Sequence, residues 1–309
     1  MTDQSLAFVF PGQGSQKVGM LANIAQQYSV VTDTFAEASS ALGYDLWDLI
    51  QNGEQQELNL TEKTQPILLT SSVALWRAWQ QQSGAQPAML AGHSLGEFSA
   101  LVCAGSLQFS DAVTLVRDRG QFMQTAVPVG EGAMAAVLGL DDQVIVDICE
   151  QTGAEAVNFN SPGQVVIAGK VAAVDLAIEK LKEAGAKRAM PLPVSAPFHT
   201  SLMKPAGEKL AEKVAALDVA APTIPVVHNV HAKTESDPAK IKELLVQQIY
   251  SPVNWTGCIQ TMLSAGIDKT LECGPGKVLS GLSKRIDRSL TAFNIEEPAG
   301  LEAALTELK

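Results

Sequence analysis

An α/β fold with a smaller inserted unit is what this 309-residue chain predicts, on three observations. Short β-like runs alternate with helical patterns from the start, a glycine-flanked serine sits at one strand–helix junction, and the alternation changes its order near residue 132. The run "LAFVF" (residues 6–10) reads as a strand and leads into the glycine-rich turn "PGQG". The run "AMLAG" (88–92) reads as a second strand, and "EFSALVCAG" (97–105) as the helix that follows it. Further on, "SDAVTLVRDRGQFMQ" (110–124) repeats apolar residues at the helical period.

From residue 132 the order becomes strand "GAMAAVLGL", helix "DDQVIVDICEQ", strand "EAVNF", turn "SPG", strand "QVVIAG", helix "AAVDLAIEKLKEAG" and strand "AKRAMPLPV". That is β-α-β-β-α-β, the ferredoxin-like order, and it predicts an inserted domain over 128–197 within a larger domain made of 1–127 and 198–309. Pro128, Gly130 and Gly132 punctuate its entry, and Pro191, Pro193 and Pro197 its exit. Helical pattern resumes in "LMKPAGEKLAEKVAAL", a strand is expected in "IPVVHNV", and the segment "TLECGPGKVLSGLSKRI" follows.

Composition narrows the function classes. With 46% hydrophobic and 18% charged residues the chain can bury a sizeable core. Its net charge of −11, from 22 basic and 33 acidic residues, argues against nucleic acid and anionic membranes as partners, since clustered positive charge drives both. Small molecules or proteins are the expected ligands. Cys103, Cys149, Cys258 and Cys273 lie far apart without C-x-x-C spacing, so neither a disulfide framework nor a zinc site is indicated, and a reduced, cytoplasmic protein is expected. Asp3 stands where a signal peptide wants positive charge, and Leu6–Phe10 is too short for a membrane span.

Gly92-His93-Ser94-Leu95-Gly96 has the parts of a nucleophile elbow: a strand, a sharp turn with small neighbours, and a helix whose first N–H groups face a developing oxyanion. The alternative is a tight structural turn. A serine nucleophile needs a base, and the chain has four histidines. His93 adjoins Ser94 and is expected to diverge from it, packing or orienting the turn. His228 and His231, three apart in a β-like run, are expected on opposite faces, which spoils a metal pair. His199, in "APFHTSLM" after the insert and before a helix, is the candidate base, and the order serine then histidine matches elbow hydrolases.

Two glycine-rich segments fail as phosphate loops. "FPGQGSQKVG" has Lys17 where a dinucleotide fingerprint needs its third glycine. "LECGPGKV" has Leu271 in place of the first Walker glycine and Val278 in place of the magnesium-binding Ser/Thr, which leaves Gly274-Pro275-Gly276-Lys277 as a tight turn. Arg119 is the least expected residue: it falls on the helical face made by Ala112, Leu115, Val116, Phe122 and Met123, whereas Arg117 falls outside it. A guanidinium there is either a structural ion pair with a protein carboxylate or the lining of a pocket for an anionic ligand.

The blocks "FVFPGQGSQKVGM", "GHSLGEFSALVCAG", "RDRGQFMQ", "NSPGQVVIAG", "PFHTSLM" and "ECGPGKVL", in that order over nearly the whole chain, resemble the malonyl-CoA:acyl-carrier-protein transacylases of bacterial fatty acid synthesis. The resemblance implies an α/β-hydrolase-like large domain with a ferredoxin-like insert. It also implies ping-pong transfer of malonyl from coenzyme A to a serine and then to the phosphopantetheine thiol of an acyl carrier protein, with no cofactor. Carried over by position, Ser94 matches the family nucleophile, His199 its base and Arg119 the residue that holds the malonyl carboxylate. Gln13 and Leu95 match the backbone N–H groups of the oxyanion hole, and Gln248 the backbone carbonyl that orients the histidine. Phe198, before the base, is similar to the malonyl-selective type.

Two other functions use the same residues. A thioesterase or esterase would share Ser94 and His199 but has no need of Arg119, and a non-catalytic thioester- or nucleotide-binding protein would rest on "FPGQGSQ" alone. If the partner is an acidic carrier protein, a chain of net charge −11 must dock it locally. The candidates are Lys284, Arg285 and Arg288, or Lys187 and Arg188.

Overall fold

Leu6–Phe10 is apolar at every position and fully buried, as a strand covered on both faces must be. In the computed structural model, which describes residues 2–194 and 196–308, this run is the end of a longer strand at the centre of a sheet. Met1, Ser195 and Lys309 lie outside the described residues. The strands in chain order are β1 (Thr2–Phe10), β2 (Gln86–Gly92), β3 (Gly132–Leu138), β4 (Glu155–Ser161), β5 (Gln164–Lys170), β6 (Arg188–Pro191), β7 (Val226–Val227), β8 (Lys269–Glu272) and β9 (Thr291–Asn294).

The first sheet has the order β7-β2-β1-β8-β9, and every pair in it is parallel. Its register sets Phe10 beside Gly92 and Val9 beside Glu272, so the loops that leave β1, β2 and β8 emerge at one edge. In a parallel sheet that carboxyl edge is where ligands bind. The "PGQGS" loop, the Ser94 turn and the "CGPGK" loop therefore converge.

The second sheet, β4-β5-β3-β6, is antiparallel throughout, and the helices Asp142–Thr152 and Val171–Glu183 connect its strands in β-α-β-β-α-β order. Its two faces alternate with period two. Ala135, Val137, Val165 and Ile167 pack with Ile145, Ile148, Ile178 and Leu181 of those helices, while Met134, Val166 and Ala168 join the main core. Both faces are thus covered. The edge strand β4 also couples to the first body, where Phe159 N–H donates to Val253 O at 3.0 Å and Val253 N–H to Val157 O at 2.8 Å.

Two expected strands are shorter than their sequence pattern. The last strand of the insert stops at Pro191 instead of reaching Val194, because Pro191 and Pro193 have no N–H for the ladder. In "IPVVHNV" only Val226–Val227 is strand. The chain turns at His228, where Ala232 N–H donates to the His228 carbonyl, and its next residues bond inward to the serine turn instead of to a neighbouring strand.

Candidate functional site

Ser94 stands between β2 and the helix Leu95–Cys103 at φ 51° and ψ −107°, a strained conformation for a residue with a side chain. Its glycine neighbours explain how so sharp a turn fits. A Cβ on Gly92 would overlap the Gly96 carbonyl carbon, one on Gly96 would overlap the Phe10 carbonyl oxygen, and one on Gly12 would lie 2.6 Å from the His93 carbonyl oxygen. The end of β1 is therefore pressed against the turn. His93 N–H donates to Phe10 O at 2.9 Å and Ser94 N–H to Asn229 Oδ1 at 2.8 Å. Leu95 is the first residue of its helix, so its N–H has no intrahelical acceptor.

Ser94 Oγ lies 2.8 Å from His199 Nε2. His199 Nδ1–H donates to the Gln248 carbonyl oxygen at 2.8 Å, and since a carbonyl only accepts, Nδ1 carries the proton and the Nε2 lone pair faces the serine. His199 itself has φ 65°, so both members of the pair are held in strained backbone. His199 is 4% exposed. Burial pushes its pKa from 6.5 down to about 3, the Arg119 charge adds to the fall, and the Gln248 carbonyl opposes it. A neutral imidazole beside a hydroxyl can accept the proton as that oxygen attacks an acyl carbon.

This shift predicts a pH profile. Folding favours neutral His199, so its contribution to stability is complete above 6.5, the ordinary histidine value, and is lost as pH falls toward the folded value of about 3. The acid limb of kcat/KM for acylation should accordingly lie well below 6.5, and Arg119→Ala should move it upward by removing a nearby positive charge. A limb at 6.5 in the wild-type protein would contradict the burial of the base.

Arg119 lies on the helix Phe109–Thr125, fully buried with Ala112, Leu115, Val116 and Met123, while Phe122 is partly buried. Nη1 donates to Gln65 Oε1 at 2.8 Å, and Nη2 donates to Gln248 Oε1 at 2.9 Å and to Ser94 Oγ at 3.2 Å. The guanidinium carbon stands 5.1 Å from the Phe98 ring centre. Among the described residues no carboxylate forms an ion pair with it, so the structural ion pair left open by the sequence is not what buries this residue. Nor is the cation bare, as the pattern alone suggests: neutral amides and a hydroxyl take up N–H groups of Nη1 and Nη2 without cancelling charge, while the buried Nε has no hydrogen-bond partner among the described residues. Burial pushes its pKa down to about 10 against the pull of Glu97, so it stays charged at neutral pH.

The remaining expected positions fall around this centre. Gln13 is exposed in the turn after β1, whose Gly12 touches the serine turn, and Phe198 is buried in the main core beside His199. His93 turns away from the serine, its Nε2 2.8 Å from Asn160 Oδ1 on β4 and its ring against Trp255. His228 and His231 are not on opposite faces: the turn after Val227 brings their rings to 5.9 Å, with His228 Nδ1 on Glu97 at 2.7 Å. Even so, no group of three or more metal-ligating side chains is placed to hold an ion among the described residues. Gly274–Lys277 packs on the first loop, and Glu272 accepts from the N–H groups of Leu279 and Ser280, capping the helix terminus that a phosphate loop would leave open. Lys284, Arg285, Arg288, Lys187 and Arg188 are all exposed, and Arg285 Nη1 donates to Gln164 Oε1 on β5.

Gln65, Asn229, Glu97 and the Gln248 side chain were not expected in the site. The only sequence signal among them is Glu97, the one charged residue in the run "LGEFSALV". The others come from segments whose meeting no local pattern announces. Among the described residues, no helix is long and apolar enough to cross a membrane.

Comparison with known proteins places this geometry. Residues 7–285 match the family described as acyl transferase domain. The chain is 59% identical over 305 residues to the malonyl CoA-acyl carrier protein transacylase of Salmonella typhimurium, covering 97% of this chain and 99% of that one. It superposes on the crystal structure of malonyl-CoA:acyl carrier protein transacylase from Xanthomonas oryzae with a TM-score of 0.98, at 53% identity, over 100% of this chain and 99% of that one. A malonyl-transacylase solved in complex with its type II PKS acyl-carrier protein matches with a TM-score of 0.97, at 51% identity, over 98% and 99% of the two chains. With a strained serine on a neutral imidazole, and a family match that spans both, the chain belongs to the acyl transferase domain family.

Proposed function

We propose that this protein moves a malonyl group from coenzyme A to the phosphopantetheine thiol of an acyl carrier protein, through a malonyl ester on Ser94. Ser94 Oγ attacks the thioester carbonyl as His199 Nε2 takes its proton, and the tetrahedral oxyanion rests on the N–H groups of Gln13 and Leu95. The C–S bond breaks and His199 returns the proton to the departing coenzyme A sulfur. The carrier thiol then enters, gives its proton to His199 and attacks the ester carbonyl; the C–O bond to Ser94 breaks and His199 returns the proton to Ser94 Oγ. Gln248 holds the imidazole tautomer through its carbonyl in both halves. No cofactor takes part; the coenzyme A thioester is a substrate.

The observation that carries this reading is Arg119, a buried guanidinium 3.2 Å from Ser94 Oγ whose partners are all uncharged. A carboxylate at the end of a short acyl chain supplies the missing charge, with the bidentate fit that a guanidinium fork offers. An esterase for neutral acyl groups would bury that charge for nothing. Phe198 beside the base fits a malonyl rather than a branched methylmalonyl group. The two-sheet topology supports the division into an α/β-hydrolase-like domain (1–127 and 198–309) and a ferredoxin-like insert (128–197): the small sheet's order β4-β5-β3-β6 is that of a ferredoxin-like unit read from one edge. Four unpaired cysteines fit a cytoplasmic setting.

Transfer is distinguished from hydrolysis by following malonyl-loaded protein with and without carrier protein. The malonyl group should leave rapidly for the carrier thiol and only slowly for water; equal loss in both would make the protein a thioesterase. The basic side chains give the second test. Charge reversal at Lys284, Arg285 and Arg288, or at Lys187 and Arg188, should slow the transfer half-reaction, chiefly through its on-rate, and spare acylation by malonyl-CoA. Equal effects on both halves would remove these residues from docking, and leave Lys284 and Arg285 their favourable place in the last turn of a helix and Arg285 its bond to Gln164.

A further inference from the structure

Glu97 lies in the first turn of the helix that follows Ser94 and is 0% exposed. Burying a carboxylate is costly unless its lone pairs are taken up. Here they are: Oε1 accepts from His228 Nδ1 at 2.7 Å, and Oε2 accepts from Asn229 N–H at 2.8 Å and from Gln248 Nε2 at 2.9 Å. The last of these decides which way the Gln248 amide points. Its NH2 group is drawn to two groups that only accept, the Glu97 carboxylate and, at 3.0 Å, the Ser94 carbonyl. Its oxygen is thereby turned to Arg119 Nη2, at 2.9 Å. A carboxylate, an amide and a guanidinium thus form a relay in which the acid and the base never touch. Glu97 is also the charge that offsets the effect of burial on Arg119.

We propose that Glu97 is a positioning residue for substrate selectivity, holding Arg119 in place to receive an acyl-chain carboxylate by fixing the orientation of the Gln248 amide. The proposal rests on the malonyl reading of the site. An amide at position 97 offers a donor as well as acceptors, so the Gln248 side chain is released to turn its own NH2 toward Arg119, donor against donor. The guanidinium then shifts off its position beside Ser94, which matters for an acyl group with a carboxylate and little for one without.

The test is single-turnover acylation by malonyl-CoA and acetyl-CoA, read by intact mass, for wild type, Glu97→Gln, Gln248→Met, Arg119→Ala and the double variant Glu97→Gln with Arg119→Ala. Gln248→Met keeps the carbonyl that orients His199 and removes only the amide. Glu97→Gln and Gln248→Met should each lower the malonyl-to-acetyl ratio of rates by about tenfold, the scale of one charge-assisted contact. In the Arg119→Ala background Glu97→Gln should leave the ratio where it is, because the group it acts through is gone. If Glu97→Gln fails to fold, Gln248→Met carries the test alone. An unchanged ratio in the folded variants, or an equal effect of Glu97→Gln with and without Arg119, overturns the proposal and makes Glu97 a structural acid. An Arg119→Ala protein with the wild-type ratio would instead overturn the malonyl reading itself.

Discussion

His199→Ala should slow malonylation of Ser94 by about 10² to 10⁴, the usual range for a lost general base, while leaving thioester binding in place. The geometry gives the reason. The serine hydroxyl has one strong acceptor in reach, His199 Nε2 at 2.8 Å, and its other hydrogen-bond partner among the described residues, Arg119 Nη2 at 3.2 Å, is a donor that cannot take the proton. Asn in place of His should be no better, since an amide holds a hydrogen bond but does not accept a proton near neutral pH. His93, 2.8 Å from Asn160 and turned from Ser94, cannot substitute. Rapid-mix acylation measured over a range of malonyl-CoA concentrations separates the two parameters. A loss confined to KM would make His199 a binding residue and leave Ser94 without a base.

Arg119→Ala should cut malonyl transfer by about 30- to 1000-fold in kcat/KM, the equivalent of roughly 2 to 4 kcal/mol for a bidentate charged contact in a dry site. Acetyl transfer should be unchanged or improved, because the pocket loses a buried charge that acetyl cannot use. Lysine should recover only part of the malonyl rate, since an ammonium cannot match the fork or reach Gln65 and Gln248 together. Parallel kinetics with the two thioesters check this, alongside thermal unfolding. Equal loss of both activities, together with several degrees of melting temperature, would make Arg119 a structural member of the polar cluster.

Much of this site can be read along the chain because its chemistry is local. Strand, glycines and helix around Ser94 lie within one stretch, and Arg119 betrays itself by breaking an apolar face at the helical period. The β-α-β-β-α-β order of the insert is equally local, since each strand alternates on its own and the antiparallel ladder follows. What cannot be read is the set of side chains brought in from elsewhere. Gln65, Asn229 and Gln248 are ordinary polar residues in their own segments, and they acquire a role only where the carboxyl edge of the sheet gathers them around the serine. The "IPVVHNV" strand is cut short for the same reason: its β-forming pattern continues, yet Asn229 is taken by Glu97, Ser94 and Gly92. Tertiary bonds override local preference at that point, next to the site.

The most direct measurement of the central claim is intact mass after brief exposure to malonyl-CoA, acetyl-CoA and methylmalonyl-CoA in parallel, on wild type and Ser94→Ala. The wild-type protein should gain the mass of one malonyl group, with far less acetyl or methylmalonyl adduct at equal concentration and time, and Ser94→Ala, folded, should gain none. A malonyl adduct on Ser94→Ala, or wild-type protein that acquires acetyl as readily as malonyl, would contradict it.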